Sequence, residues 1–242
     1  MHIAILGLGP SLEQYVDLAK RLGGRRAYCD QTWGINAVGS VIECDRVFHM
    51  DDVRIQQIRA EARPESNIAR MLDWLRIYDR PVVTSRAHPD YPCLEEFPLD
   101  AALNMAPQGY FNSTAAYAAA YALLQPGLTK LSVFGCDYTY PNAHDAEKGR
   151  ACLEYWLGMA AARGVQLVVP KVTSLLDALY AQAERFYGYD TVDLRFHRDD
   201  GDGGDGRIHV ERLLHDRLPT AEEIEARYDH SQHPNPLVSG GN

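Results

Sequence analysis

The chain has 242 residues, near the upper end of what one α/β domain holds and short of two full catalytic domains, so one domain with appendages is expected. Hydrophobic residues at 46% and charged residues at 24% exclude a wholly disordered, collagen-like or coiled-coil chain. A formal charge of -9 disfavours a dedicated nucleic-acid surface, because that affinity comes mainly from Lys and Arg neutralising phosphates, while leaving room for a local basic groove.

Apolar runs such as Ile3-Ala4-Ile5-Leu6 fall well short of the roughly 20 residues a membrane span needs, and no positively charged leader precedes the first of them. A cytoplasmic protein without membrane contact is therefore expected. The five cysteines, Cys29, Cys44, Cys93, Cys136 and Cys152, form no CxxC pair, which suits reduced thiols better than disulfides or structural zinc.

In chain order, short β-type runs alternate with helix-length segments, the pattern of a doubly wound, mainly parallel α/β sheet with helices on both faces. Six strands are expected: His2 to Leu6, Arg26 to Cys29, Arg46 to His49, Val82 to Ser85, Leu131 to Phe134 and Gln166 to Val169. Helices are expected from Ser11 to Leu22, Glu65 to Tyr78, Ser113 to Leu124, Asp145 to Arg163 and Ser174 to Phe186. Ser11 with Gln14 matches a capping box, and Asn112 or Ser113 can cap the Ala-rich helix. Pro89, Pro92, Pro98 and Pro107 mark 87–109 as a lid-like loop. Residues 1–187 read as the nucleotide-binding domain and 188–242 as an acidic, partly flexible extension. Asp199 to Gly206 buries too little apolar surface to fold, and Ile208 to Ala226 holds a strand and an acidic helix.

Several segments carry chemistry. Gly7-Leu8-Gly9-Pro10-Ser11-Leu12 sets a G-x-G turn between a strand and a helix, where free N–H groups and the positive dipole end favour a phosphate. Leu12 stands where a dinucleotide fingerprint has its third glycine, which disfavours an NAD-dependent dehydrogenase, although Asp30 would suit a ribose contact; a tight turn without ligand is the competing reading. Trp33-Gly34-Ile35-Asn36 offers an amide at a strand's carboxyl end, as a ligand group or a turn residue, and Asp51-Asp52 follows a hydrophobic strand, as metal ligands or helix caps. Asn112-Ser113-Thr114 gathers polar side chains at a second helix start, and Gly135-Cys136-Asp137-Tyr138-Thr139-Tyr140 adds a carboxylate beside two phenols. His144 lies just beyond, where an imidazole can act as general base or simply cap a helix. Thr173 and Ser174 end the last core strand, as nucleotide contacts or caps.

G-x-G-P-S-L, followed in order by Asn36, the Asn112-to-Thr114 cluster, the G-x-D-aromatic segment at Gly135 and His144, resembles two related groups over about residues 1 to 180. These are the Rossmann-like MptE-like and motility-accessory-factor proteins, and the bacterial sialyltransferases of glycosyltransferase family 42. The resemblance implies a metal-independent glycosyltransferase acting on a nucleotide sugar. In it Gly7, Gly9, Pro10, Ser11, Asn36, Asn112, Ser113, Thr114, Asp137, Thr173 and Ser174 hold the nucleotide. Tyr138 or Tyr140 stabilises the leaving phosphate, and His144 deprotonates a hydroxyl of an acceptor glycan or other substrate. Two features depart from the pattern: Leu8 replaces the asparagine typical of the sialyltransferases, and the contiguous Asp51-Asp52 differs from the spaced aspartates of the MptE-like diphosphokinases. The alternatives are a Mg-ATP diphosphokinase with Asp51, Asp52 and Asp137 around Mg2+, and a non-catalytic nucleotide-binding module. The chain also resembles uncharacterised open reading frames of tailed bacteriophages, which would place it in the cytoplasm of an infected host. An oligomer is compatible with all of this.

Overall fold

The computed structural model describes residues 1–139, 141–179, 193–198, 207–213 and 220–226. Met1–Leu179 forms one compact unit and Tyr180–Asn242 a second.

The first unit is a Rossmann-like α/β fold: a seven-stranded parallel sheet flanked by helices on both faces. Its strands are β1 (His2–Leu6), β2 (Gln31–Ile35), β3 (Arg46–Phe48), β4 (Val82–Thr84), β5 (Leu94–Glu96), β6 (Lys130–Phe134) and β7 (Gln166–Val168), in the spatial order β5-β4-β3-β2-β1-β6-β7. Each neighbouring pair is parallel. The helices are α1 (Leu12–Leu22), α2 (Arg25–Tyr28), α3 (Val53–Ala62), α4 (Asn67–Ile77), α5 (Leu99–Met105), α6 (Thr114–Leu123) and α7 (Ala143–Ala162).

Alternation along each strand divides the core in two. Ile3 and Ile5 point to one side with Trp33, Phe48, Leu131 and Val133, where Ala115 to Ala122 of α6 and Trp156 of α7 pack. Ala4 and Leu6 point to the other with Val47, Val82 and Phe134, against Tyr15 of α1 and Leu72 and Leu75 of α4. Alanine lines α6 because small side chains let that helix lie close to the sheet, as its contacts with β1, β2 and β3 show.

Several expectations need correction. The second strand is Gln31–Ile35, five residues later than expected, and Arg25–Tyr28 forms one helical turn instead. Trp33 and Thr32 are fully buried there, whereas Arg25 and Arg26 form ion pairs with Asp45 that suit a surface turn. Asp30 consequently precedes β2, at the sheet's opposite edge, where it accepts from His2 N–H at 2.6 Å and cannot meet a ribose at the carboxyl end. The proline-rich stretch 87–109 contains two regular elements: β5 extends the sheet as its seventh strand, and α5 packs Ala102 into the core. The helix α3 is not among the expected elements; Asp52 is its N-cap.

After β7 the chain makes a 3-10 turn at Leu175–Asp177 in place of the start of the expected helix, and the rest of that segment lies outside the described residues. In the second unit, β8 (Asp193–Arg198) and β9 (Ile208–Leu213) pair antiparallel, and α8 (Ala221–Glu225) is the acidic helix. The Gly-rich run Asp199 to Gly206 also lies outside the described residues. Among the described residues no helix is long and apolar enough to cross a membrane.

Candidate functional site

Strand order reverses between β1 and β6, since β2 to β5 extend from one side of β1 while β6 lies on the other. In open α/β sheets the ligand crevice forms at the carboxyl ends of the strands at such a switch point. Here a crevice of about 790 Å³ opens there, lined by the loops after β1, β2 and β6 and by the first turns of α6 and α7.

The loops after β1 and β6 are fused. Gly7 N–H donates to Phe134 O at 2.8 Å and Gly9 N–H to Gly135 O at 2.7 Å. A Cβ on Gly7 would lie 2.2 Å from Gly135 O, and one on Gly135, at φ 69, 2.1 Å from Gly7 O. The G-x-G signal therefore reports close backbone packing between two crossing loops, and both of its glycine N–H groups are already bonded.

Ser11 departs from the expected capping box. It is 1% exposed; its hydroxyl donates to Asp137 Oδ1 at 2.6 Å and accepts from Gly135 N–H at 2.6 Å, while its own N–H donates to Asp137 Oδ2 at 2.7 Å. The start of α1 is thus closed by the protein's own carboxylate. A phosphate placed there would meet a like charge rather than open N–H groups. Gly7, Gly9, Pro10 and Asp137 all line the crevice wall, with the Asp137 carboxylate committed to this cap, and Ser11 lies behind them.

The start of α6 is different. Ser113 caps it, accepting from Ala116 N–H at 3.3 Å, and its hydroxyl also meets Tyr138 OH at 3.1 Å. Asn112 and Thr114 line the crevice and make no side-chain hydrogen bond within the described residues. First-turn N–H groups of a helix have no intrahelical acceptor, so those of Thr114 and Ala115 are available at the positive dipole end. Across from them α7 contributes Lys148, an exposed lysine in no ion pair among the described residues, and Asp145, whose Oδ2 accepts from Asn142 Nδ2 at 2.8 Å. Asn142 also caps α7, accepting from the His144 and Asp145 N–H groups through Oδ1.

His144 lies on that same first turn, exposed to solvent and outside the crevice lining, which Asp145 occupies one residue further on. Tyr138 lines the crevice in a left-handed backbone conformation, φ 51, its ring laid over Gly149 of α7, where a Cβ would come within 2.5 Å of it. Tyr140 lies outside the described residues. Asn36, also at φ 51, lines the crevice, as do Ile35 and Leu8, the latter 59% exposed.

Thr173 and Ser174 do not line the crevice. Thr173 is fully buried and accepts from Leu175 N–H at 3.3 Å, while Ser174 donates to the Asp137 carbonyl at 2.9 Å, so the pair pins the chain after β7 to the β6 loop. Asp52 caps α3 and pairs with Arg54, which holds its carboxyl down at about 2. Among the described residues no group of three or more His, Cys, Asp or Glu side chains is arranged to hold a metal ion, so Asp51, Asp52 and Asp137 form no such centre. Cys136 lies in the crevice wall with its thiol pushed up to about 12, first by burial and then by the neighbouring Asp137 charge.

Sequence reasoning missed Lys148, Asp145, Leu8 and Ile35 as lining groups. The three-residue spacing of Asp145 and Lys148, which puts them on one face of a helix, was the available signal. The site these loops define is a crevice at the switch point of an α/β sheet, with Lys148, Asp145 and Asp137 as the charged groups of its lining. Compared with family models and with curated proteins, the chain matches none.

Proposed function

We propose that this chain is a nucleotide-binding transferase that takes a nucleotide sugar as donor and an acceptor glycan or other hydroxyl substrate. The observation that carries the reading is the contrast between two helix starts at the switch point: α1 is closed by Asp137, whereas the start of α6 lines the crevice with Asn112 and Thr114, whose side chains make no hydrogen bond among the described residues, together with Lys148 of α7, which is in no ion pair among them. The donor phosphates sit at the start of α6 against Lys148, and Tyr138, held by Ser113, donates its phenol to the departing phosphate. Two groups on the first turn of α7 are near enough to take the acceptor proton: Asp145 in the crevice wall and His144 beside it. The ordered resemblance to the sialyltransferases and MptE-like proteins supports the donor class, and it requires no metal, because Lys148 and the helix dipole meet the phosphate charge.

A second reading, a nucleotide-binding module without turnover, is favoured by the position of His144 outside the lining. The Mg-ATP diphosphokinase reading finds no carboxylate cluster among the described residues to support it.

The test is a thermal-shift screen against CMP, UMP, GDP, ATP and NAD, each with and without Mg2+, repeated on Lys148→Ala. A ligand at 100 times its dissociation constant adds about 2.7 kcal/mol. The expected result is a metal-independent shift with at least one nucleotide, reduced in Lys148→Ala. No shift with any nucleotide defeats both nucleotide readings. A shift without release of nucleotide from any nucleotide sugar selects the non-catalytic one.

A further inference from the structure

A second cavity, of about 610 Å³, lies against α7 and the chain after β7, and its size is in the range of small-molecule sites. Helix periodicity separates it from the crevice. Asp145, Lys148 and Gly149 form the stripe of α7 that lines the crevice, whereas Ala143, Ala146, Glu147, Arg150, Ala151 and Glu154 form the stripe that lines the second cavity. The two cavities therefore flank one helix.

Among the described residues Tyr138 alone lines both. Gly149 makes room for it, since a Cβ there would come within 2.5 Å of the Tyr138 ring. In a transfer reaction the two substrates must meet at one point, and the phenol assigned to the donor phosphate borders the second cavity as well. Ala143 lines the second cavity and Asp145 the crevice, so the turn that carries His144 and Asp145 borders both.

The lining suits a hydroxylated ring. Alanine methyls and the Tyr138 ring offer apolar surface to the C–H face of a sugar, while Glu147, Glu154 and the Ser174 oxygen can accept from its hydroxyls. Arg150 is already committed: Nε donates to Glu154 Oε1 and Nη2 to Asp177 Oδ1, each at 2.9 Å. Leu176 N–H donates to the same Glu154 oxygen at 2.7 Å, which fixes this wall before any ligand arrives. Glu147 makes no hydrogen bond or ion pair among the described residues, so Glu147, Glu154 and Asp177 outweigh the one guanidinium. An acidic acceptor would meet like charge there.

We propose that the second cavity is the acceptor subsite, and that it takes an uncharged, hydroxyl-rich acceptor of sugar-ring size while disfavouring an acidic one. The inference rests on the transferase reading above and deepens it by naming where the acceptor sits and which acceptors are disfavoured.

The test is saturation-transfer NMR titration of glucose, galactose, glucuronate and galacturonate, each with and without CMP, UMP and GDP. It is run on wild type, Glu147→Gln, Ala151→Phe and Lys148→Ala. Wild type is expected to bind at least one hexose, about threefold or more tightly than the corresponding acid, the scale of one exposed charge. Glu147→Gln should narrow that ratio. Ala151→Phe, which puts a ring into the second cavity from a half-buried helix position, should abolish hexose binding and leave the nucleotide response intact; Lys148→Ala should do the reverse. If Ala151→Phe fails to fold, the exposed Glu147→Gln decides, and an unchanged ratio there overturns the proposal. Nucleotide binding without hexose binding, hexose binding unchanged in Ala151→Phe, or an acid bound as tightly as its hexose overturns the acceptor subsite and leaves the nucleotide reading standing. Hexose binding lost in Ala151→Phe, with no nucleotide bound under any condition, keeps the sugar site and overturns the transferase reading. Failure of every probe to bind overturns both.

Discussion

Asp137 and Ser11, 126 residues apart in the chain, are joined twice, by the Ser11 N–H at 2.7 Å and by its hydroxyl at 2.6 Å. This pair locks the loop after β6 onto the start of α1. It also decides which helix start at the crevice remains open to a ligand.

The same pair makes a stability prediction. Asp137→Ala removes two bonds to a charged acceptor and leaves the buried Ser11 N–H and the Ser11 hydroxyl proton without an acceptor, a loss of about 3 kcal/mol. Asp137→Asn keeps one acceptor oxygen and should lose about half as much. Urea unfolding measures both, and an unchanged midpoint in Asp137→Ala would show that the cap contributes nothing.

Glycine positions in the first loop should tolerate no side chain. Gly7→Ala places a Cβ 2.2 Å from Gly135 O, and Gly9→Ala places one 2.6 Å from Asp137 Oδ2, so each forces backbone or the buried carboxylate to move and should destabilise by about 1–3 kcal/mol. Gly158→Ala on α7 is the matched control: its Cβ meets nothing within 4 Å, and helix propensity should raise stability by about 0.5–1 kcal/mol. Thermal midpoints of the three variants should move in these opposite directions.

Acid sensitivity should include a contribution from His2. Burial, and then the Lys130 charge, lower its pKa below the ordinary 6.5, while the unfolded chain keeps the ordinary value. Between the folded value and 6.5 the unfolded state binds more protons, so stability is full above 6.5 and falls as pH drops through that window. His2→Gln should flatten the wild-type loss of urea midpoint between pH 7.5 and pH 5. Parallel curves for the two proteins would show that this histidine does not titrate differently on folding.

All five cysteines are buried, and burial pushes the Cys44 and Cys136 thiols up to about 12. The native protein should therefore react with no equivalent of a thiol-disulfide reagent at pH 8, and with five after denaturation. A fast-reacting thiol in the native state would mean that the crevice wall at Cys136 opens.

Turnover should separate the two groups on α7. With a nucleotide sugar that supports transfer, Asp145→Asn should lower kcat by about 100-fold or more if its carboxylate takes the acceptor proton, while His144→Ala stays within about threefold. The reverse pattern would give that role to His144, and insensitivity of both would remove general-base catalysis at this turn.

The architecture could be read from the chain because it depends on local periodicity. Largely apolar runs such as Ile3 to Leu6 and Leu131 to Phe134 are what strands buried on both faces require, and the Ala-rich segment after Ser113 is what a helix pressed against them requires. The strand at Gln31–Ile35 was misread because its pattern holds a glycine and two polar residues, and only pairing with β1 and β3 selects it over Arg26 to Cys29. β5 is three residues long with two exposed glutamates, too short to show a pattern of its own.

At the crevice, residue type indicated where ligand chemistry could gather, and Asn36, Asn112, Thr114 and Tyr138 do meet there. What each polar group does was settled by partners distant in sequence. Ser11 and Asp137 satisfy each other, Ser174 ties down the β6 loop, and His49 meets Asn36, while Lys148 is in no ion pair among the described residues. A hydrogen-bonding side chain can serve the fold or a ligand, and which of these it does depends on whether tertiary packing has already given it a partner.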